Sequence, residues 1–250
     1  MSQLNWARDP GRNPVAGEAG GFFVTSDGPR YSGYLKPTRI CPPDLPRAAA
    51  EKIAFDISHE VGVQVPPVQI YHRPDANPDH EEVRTCISLV CDPWFIPWNQ
   101  LDDWRQMDKG VDDRVKAEFP KCSSFYALDV YLGQADRKMP RNTLLSFDPR
   151  NDNFTFVFID YSYSMNFRNS WENEGWKKVG AVDLPKGMAE LLDRDIVRQT
   201  AVKVRDLNEG TLNGIVDRIP GHFLSDAQKT TVKQGLIGRR RIAYTYLMDH

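Results

Sequence analysis

The sequence predicts an α+β fold whose amino-terminal part is a small antiparallel sheet with one helix and whose carboxy-terminal part is mainly helical. Three observations support this prediction. Aromatic and β-branched runs separated by turn residues, together with one helical stripe, occupy residues 20–92. Apolar residues recur at helical spacing through most of the chain after residue 160. Between these two parts, residues 136–160 contain two strand-like runs joined by a polar turn.

The bulk composition is that of a globular protein rather than a disordered or membrane-spanning one. The chain has 250 residues, of which 40% are hydrophobic and 26% charged, and it is long enough for one large domain or two lobes. A formal net charge of -2 provides no overall attraction to nucleic acid or to an anionic membrane, so contact with either is not expected. No apolar run is long enough to span a bilayer and no secretory signal begins the sequence, which predicts a cytoplasmic protein.

The first predicted element is a hairpin that follows a loose lead-in over residues 1–19. Two aromatic, strand-prone runs flank the turn residues Ser-Asp-Gly-Pro. With the centre of the turn at about position 27.5, the second strand brings Lys36 opposite Ala19 and Gly20. Backbone amides around Gly20 and Gly21 would then approach phosphate groups with a cation beside them.

A helix and two further strands complete the predicted amino-terminal lobe. The helix begins at Pro46 and ends at Gly62, with alanine and isoleucine residues on one stripe. Residues 65–71 and 85–90 are short β-branched runs bounded by prolines and charged loops, and they are predicted as strands. The proline- and tryptophan-rich residues 91–98 break regular structure and predict a crossover between two lobes.

Helices dominate the prediction for the carboxy-terminal lobe. An apolar stripe before Gly133 predicts a helix that directly precedes the loop around Asp136. Further helical stripes cover residues 196–207, 212–219 and 232–247.

The hairpin in the middle of the chain places polar side chains on one edge. A turn at residues 148–153 pairs residues whose numbers sum to about 301, which sets Asn142 opposite Ile159 and beside Asp160. Asp136, on the loop before the first strand, approaches the same edge. Phosphoryl transfer needs such a set: one carboxylate near the nucleophile, and a carboxylate with an amide to hold magnesium on the nucleotide phosphates. An ordinary hairpin between polar loops is the alternative.

The order of these elements is the layout of a two-lobed protein kinase. Residues 20–92 would form the amino-terminal nucleotide-binding lobe, and residues 93–250 the carboxy-terminal catalytic lobe of a single kinase-like domain. Six segments carry a closer resemblance: Tyr34-Leu35-Lys36-Pro37, Ala49-Ala50-Glu51-Lys52-Ile53-Ala54, Val65-Pro66-Pro67-Val68, Asp136-Arg137, Asn142-Thr143-Leu144-Leu145 and Ile159-Asp160-Tyr161. In their order and spacing the chain resembles the HipA-like kinases, a bacterial serine/threonine kinase group related in fold to the phosphatidylinositol kinases.

The resemblance implies a role for each matching position. Lys36 would contact the nucleotide phosphates, and Glu51 would pair with it. Asp136 would be the catalytic aspartate that positions the acceptor hydroxyl, and Asn142 and Asp160 would be the Mg²⁺ ligands. The alternatives are a solvated strand lysine, a first-turn glutamate stabilised by the helix dipole and a loop-capping aspartate.

The sequence departs from the family pattern at three places. Asp136 and Asn142 are six residues apart where five is usual, so the loop must bulge by one residue, most naturally at Met139. Lys138 stands where related kinases often have histidine. Tyr161 replaces the phenylalanine that usually follows the metal-binding aspartate.

These observations predict an ATP- and Mg²⁺-dependent kinase that acts on a serine or threonine of a protein and on the chain itself. The departures leave open a catalytically inactive nucleotide-binding module, and the same fold could phosphorylate a lipid or a small molecule. HipA has an additional amino-terminal subdomain before the kinase core, whereas this sequence starts almost at the core. A partner chain that supplies this subdomain is therefore a further expectation.

Overall fold

The computed structural model describes residues 4–12, 21–28, 31–37, 47–72, 84–90, 95–101, 111–116, 118–148, 153–165 and 175–250. Within these residues the chain is α+β and two-lobed, as predicted. The strands are β1 (Trp6–Arg8), β2 (Phe22–Ser26), β3 (Ser32–Pro37), β4 (Val68–His72), β5 (Arg84–Leu89), β6 (Phe95–Pro97), β7 (Thr143–Asp148) and β8 (Asn153–Phe158). The α-helices are α1 (Arg47–Val61), α2 (Val111–Lys116), α3 (Phe119–Leu132), α4 (Arg194–Arg205), α5 (Glu209–Asp217) and α6 (Asp226–Asp249).

The amino-terminal lobe is a five-stranded antiparallel sheet in the order β1-β2-β3-β5-β4, with α1 packed against β4 and β5. The predicted helix and its four flanking strands are confirmed. Ile53 and Ile57 lie on the fully buried face of α1, in the same hydrophobic core as side chains of α5 and α6. The helix ends at Gly62, whose φ of 73° is a left-handed conformation that glycine adopts without steric cost. α1, which belongs to the amino-terminal lobe, therefore also contacts the carboxy-terminal lobe.

One strand of this sheet was not predicted. Residues Trp6–Arg8 were expected in a loose lead-in, but they form the edge strand β1 and pair antiparallel with β2. Trp6 packs against the small apolar cluster of the outer sheet that includes Val24 and Ile87. A strand of three residues shows no alternation long enough to be recognised in the sequence.

The register of the first hairpin differs from the prediction by two positions. Phe23 pairs with Tyr34, so Lys36 comes opposite position 21 rather than Ala19 and Gly20. Asp27 directly follows β2, and Asn5 donates from its Nδ2 to Oδ2 of Asp27 at 2.7 Å.

The second sheet has the order β6-β7-β8, and its strands lie between residues 95 and 158. Its hairpin has the predicted register, because Leu144 pairs with Val157. The backbone N–H of Ile159 donates to the carbonyl oxygen of Asn142 at 3.1 Å, as the predicted pairing requires. Residues Phe95–Pro97 were expected in an irregular crossover, but they form the short edge strand β6, a position that tolerates proline.

The helices of the carboxy-terminal lobe follow the predicted stripes, and a buried arginine links three of its segments. Arg239 on α6 is 3% exposed. It donates to the carbonyl oxygens of Val130 and Tyr131, which end α3, and to those of Trp176 and Lys178. A cation at the carboxy-terminal end of a helix interacts favourably with the helix dipole and with the last carbonyl oxygens. None of the helices in the described part of the chain is long and apolar enough to cross a membrane.

Candidate active site

Three charged side chains from three elements meet between the lobes. Lys36 on β3 donates from Nζ to Oε1 of Glu51 on α1, and its Nζ lies 3.2 Å from Oδ1 of Asp160, which follows β8. Glu51 is almost fully buried, and the side chain of Lys36 is 12% exposed. One cation and two carboxylates therefore join the sheet, α1 and the central hairpin. We call this group the ion network.

Burial and pairing set the charges in the ion network. Burial opposes the charged form of Lys36, but the carboxylates of Asp160 and Glu51 outweigh it and raise the pKa of this ammonium above its ordinary value. Burial also opposes ionisation of Asp160, yet the Lys36 ammonium and the Ser162 hydroxyl lower the pKa of this carboxyl well below its usual range. At neutral pH Asp160 is therefore an anion and Lys36 a cation.

The loop before β7 brings the predicted catalytic aspartate and asparagine together. Nδ2 of Asn142 lies 3.0 Å from Oδ2 of Asp136 and 3.0 Å from its carbonyl oxygen. A 3₁₀ turn at Pro140–Asn142 accommodates the additional residue of the loop. The six-residue spacing therefore does not separate the two side chains. Burial raises the pKa of Asp136 against the opposing hydrogen bond from Asn142.

A fully buried arginine holds this loop against the hairpin. Arg137 donates from Nε to Oδ2 of Asp129 on α3 at 2.6 Å, and its exposed fraction and that of Asp129 are both 0%. Its Nη1 donates to the carbonyl oxygens of Asn142 and Ile159. The guanidinium thus connects the loop, the start of β7 and the end of β8 to one helix. Asp136, the preceding residue, is positioned by this contact.

The backbone at Asp160 has a conformation that is uncommon for a residue with a side chain. Its φ is 62°, in the left-handed region that aspartate occupies more readily than most residues. The Nε2 of Gln134 donates to the Asp160 carbonyl oxygen at 2.6 Å, and the Ser162 hydroxyl donates to Oδ1. These bonds hold the carboxylate towards Lys36. Gln134 was not predicted as a site residue, since no sequence pattern marks it.

Helix α1 holds the segment after Asp160 at a second place. Arg47, one turn before Glu51, donates from Nη2 to the hydroxyl of Tyr163 at 2.8 Å, and its guanidinium carbon lies 5.0 Å from the centroid of that ring. Glu51 also accepts a hydrogen bond from the backbone of Tyr161. The position of α1 therefore affects the position of Asp160. No sequence pattern predicts the Arg47 contact, which joins residues 116 positions apart.

We expect Tyr163→Phe to lower the free energy of unfolding by about 1 kcal/mol, because the hydroxyl that accepts from Arg47 is removed while the ring remains. Unfolding in urea, followed by circular dichroism, measures the change. Tyr31→Phe is the matched control. Tyr31 is exposed, so the loss of its hydroxyl should change the free energy of unfolding by less than about 0.5 kcal/mol. Equal stability of the two variants would show that the Arg47 hydrogen bond contributes nothing.

A cavity of about 920 Å³ opens beside the ion network. Lys36, Asp136, Asn142 and Asp160 line it, together with Gly21. The volume is in the range of roughly 300–1,000 Å³ that is common for small-molecule sites. Of the residues predicted for the site, Gly20 lies outside the described residues. The others lie in or beside this cavity, while their roles in catalysis and binding stay predictions.

The fold has a counterpart among solved structures. No protein-family model matches the sequence, and no curated protein matches it either. The chain is similar to the crystal structure of a Helicobacter pylori proinflammatory kinase, CtkA, with a TM-score of 0.68. The two are 12% identical, and the match covers 99% of this chain and 96% of that chain. The similarity shows that this chain has a kinase-like fold over almost its whole length.

Proposed function

We propose that this chain is an ATP- and Mg²⁺-dependent phosphotransferase of the HipA-like kind, which phosphorylates a serine or threonine of a protein and also the chain itself. The observation that carries the proposal is the ion network of Lys36, Glu51 and Asp160, which borders the same cavity as Asp136 and Asn142. Phosphoryl transfer requires groups of this kind, because they position the phosphoryl group and neutralise its charge. The kinase-like fold supports the same proposal.

Each side chain has a distinct part in the proposed reaction. Glu51 orients the Lys36 ammonium, which binds the nucleotide phosphates. Asp160 and Asn142 present a carboxylate and an amide, whose oxygens are ligands that Mg²⁺ prefers, and the lowered pKa of Asp160 keeps its carboxylate ionised. When bound, the ion neutralises phosphate charge. Asp136 orients the acceptor hydroxyl and accepts its proton.

Mass spectrometry of the purified chain after incubation with Mg²⁺ and ATP tests the proposal, with ADP release measured in parallel. We expect phosphate on serine or threonine residues of the wild type and none on Asp160→Asn. Asp183→Asn is the matched control, because Asp183 is exposed and lies outside the cavity. Full phosphorylation of Asp160→Asn would contradict the assigned role.

A catalytically inactive nucleotide-binding module is the second candidate function. The observation that favours it is the hydrogen bond from Asn142 to Oδ2 of Asp136, because it engages the carboxylate that an acceptor hydroxyl needs. For such a module, ATP would bind with Mg²⁺, but neither ADP nor a phosphorylated residue would appear. Transfer of label to added lipid or to a small molecule, with none to protein, would instead identify a different acceptor class.

A further inference from the structure

One arginine on the loop that contains Asp136 has no assigned role. Arg141 lies in the 3₁₀ turn at Pro140–Asn142, is exposed, and lines the cavity. Its side chain makes no hydrogen bond or ion pair with the residues that the structure describes. Lys138 is exposed on the same loop, but it does not line the cavity. The guanidinium of Arg141 is therefore available to a ligand of the cavity.

The turn directs the side chains of Arg141 and Asn142 differently. A 3₁₀ helix has about three residues per turn, so neighbouring side chains diverge by about 120°. Asn142 is buried, and its Nδ2 lies 3.0 Å from Oδ2 of Asp136. Arg141, the preceding residue, is exposed instead. The same short turn thus holds the amide against Asp136 and leaves the guanidinium at the open edge of the cavity.

The charge of Arg141 acts on the carboxylate that is proposed to meet the acceptor hydroxyl. Burial raises the pKa of Asp136, and the hydrogen bond from Asn142 and the positive charge of Arg141 oppose this rise. At Asp160, by contrast, the charge that lowers the pKa of the carboxyl is that of Lys36. Arg141 therefore belongs with the acceptor carboxylate, and Lys36 with the carboxylate proposed for the metal.

We infer that Arg141 binds an acidic side chain of the protein acceptor, one to three residues from the serine or threonine that receives the phosphoryl group. The inference rests on the proposed function, because Asp136 is taken as the group that positions the acceptor hydroxyl. A guanidinium presents a planar fork of donors that binds a carboxylate through two hydrogen bonds. An extended segment advances about 3.3 Å per residue, so a carboxylate at these positions lies within about 10 Å of the hydroxyl.

The selection of acidic acceptors is local to this subsite. The formal net charge of -2 provides no overall attraction for an acidic protein, so a preference for acidic residues has to come from cations at the acceptor site. Because Arg141 is exposed, salt screens its charge, and the preference should weaken as the ionic strength is raised.

A set of synthetic peptides tests the inference. Each peptide contains one serine and carries glutamate, glutamine or lysine at one of the three positions on either side of it, and transfer from Mg-ATP is measured as kcat/KM. At one or more positions the wild type should prefer glutamate to glutamine by at least about fivefold, and lysine should be the poorest. Arg141→Gln should reduce the preference for glutamate to less than about twofold, and Arg141→Glu should reverse it in favour of lysine.

Two controls separate acceptor recognition from other roles of the arginine. Arg241→Glu is the matched charge reversal, because Arg241 is exposed on α6 and does not line the cavity, and it should keep the preference of the wild type. Arg141→Gln should bind Mg-ATP within about twofold of the wild type in a calorimetric titration, since the nucleotide phosphates are proposed to bind at the ion network. A reversed preference is a gain that a misfolded variant does not show.

The outcomes separate this inference from the proposed function. Equal kcat/KM of the wild type for the glutamate and glutamine peptides, or a preference for glutamate that persists in Arg141→Glu, would overturn the acidic subsite while the kinase assignment stands. The same holds if the wild type phosphorylates itself but none of the peptides, or if Arg141→Gln loses as much affinity for Mg-ATP as it loses in kcat/KM. Absence of transfer to any acceptor, the chain itself included, would overturn the proposed function and the inference together.

Discussion

Replacing Arg137 with methionine is expected to lower the free energy of unfolding by about 3–5 kcal/mol. Methionine removes the partner of the fully buried Asp129 carboxylate and two hydrogen bonds to the carbonyl oxygens of Asn142 and Ile159. A buried charge without its cation is costly, and the lost hydrogen bonds to the carbonyl oxygens add to the cost. Urea unfolding, followed by fluorescence and circular dichroism, measures the loss.

Two companion variants make this result specific to the buried guanidinium. Arg141→Ala is the matched control on the same loop, because Arg141 is exposed and should change stability by less than about 0.5 kcal/mol. Arg137→Lys keeps the charge but loses the planar fork that reaches several acceptors, so it should fall between methionine and the wild type. A loss below about 1 kcal/mol in Arg137→Met would contradict the tethering role.

Asp136→Ala is expected to reduce the rate of phosphoryl transfer by about 100- to 10,000-fold, the contribution of a positioned general base. The affinity for Mg-ATP should stay within about threefold, because Asp136 acts on the acceptor and not on the nucleotide. Single-turnover transfer and calorimetric titration measure the two quantities separately. Asp183→Ala, at an exposed position away from the cavity, should match the wild type in both.

The opposite pattern would change the assignment. A variant Asp136→Ala with full transfer activity would exclude this carboxylate as the group that positions the acceptor. A large loss of nucleotide affinity with an unchanged rate would place Asp136 among the nucleotide-binding residues instead.

The central hairpin was predictable because its turn is unambiguous. The polar residues between β7 and β8 place the centre of the turn, and this alone sets which residues face each other. Leu144 pairs with Val157 as predicted, and Asn142 and Asp160 consequently lie at the same edge of the sheet. The first hairpin has turn residues of the same kind, yet its register differs from the prediction by two positions, and Asp27 bonds to Asn5, which is 22 residues away. The turn residues alone do not predict that contact.

The parts of the site that escaped prediction depend on contacts between distant elements. Gln134 and Arg47 reach the segment around Asp160 across the fold, at separations of 26 and 116 residues. Tyr34, which also lines the cavity, is different, because its position two residues before Lys36 already placed it on the same face of β3. The period of a strand could therefore have identified it once Lys36 was considered a site residue.

Calorimetric titration of ATP in the presence and absence of Mg²⁺, on the wild type and Asp160→Asn, tests the central claim most directly. The account predicts that the wild type binds ATP, that Mg²⁺ strengthens this binding, and that Asp160→Asn loses at least about tenfold in affinity for Mg-ATP. Asp183→Asn should bind like the wild type. Absence of ATP binding by the wild type, or Mg-ATP binding by Asp160→Asn that equals the wild type, would contradict the claim that the ion network is a nucleotide and magnesium site.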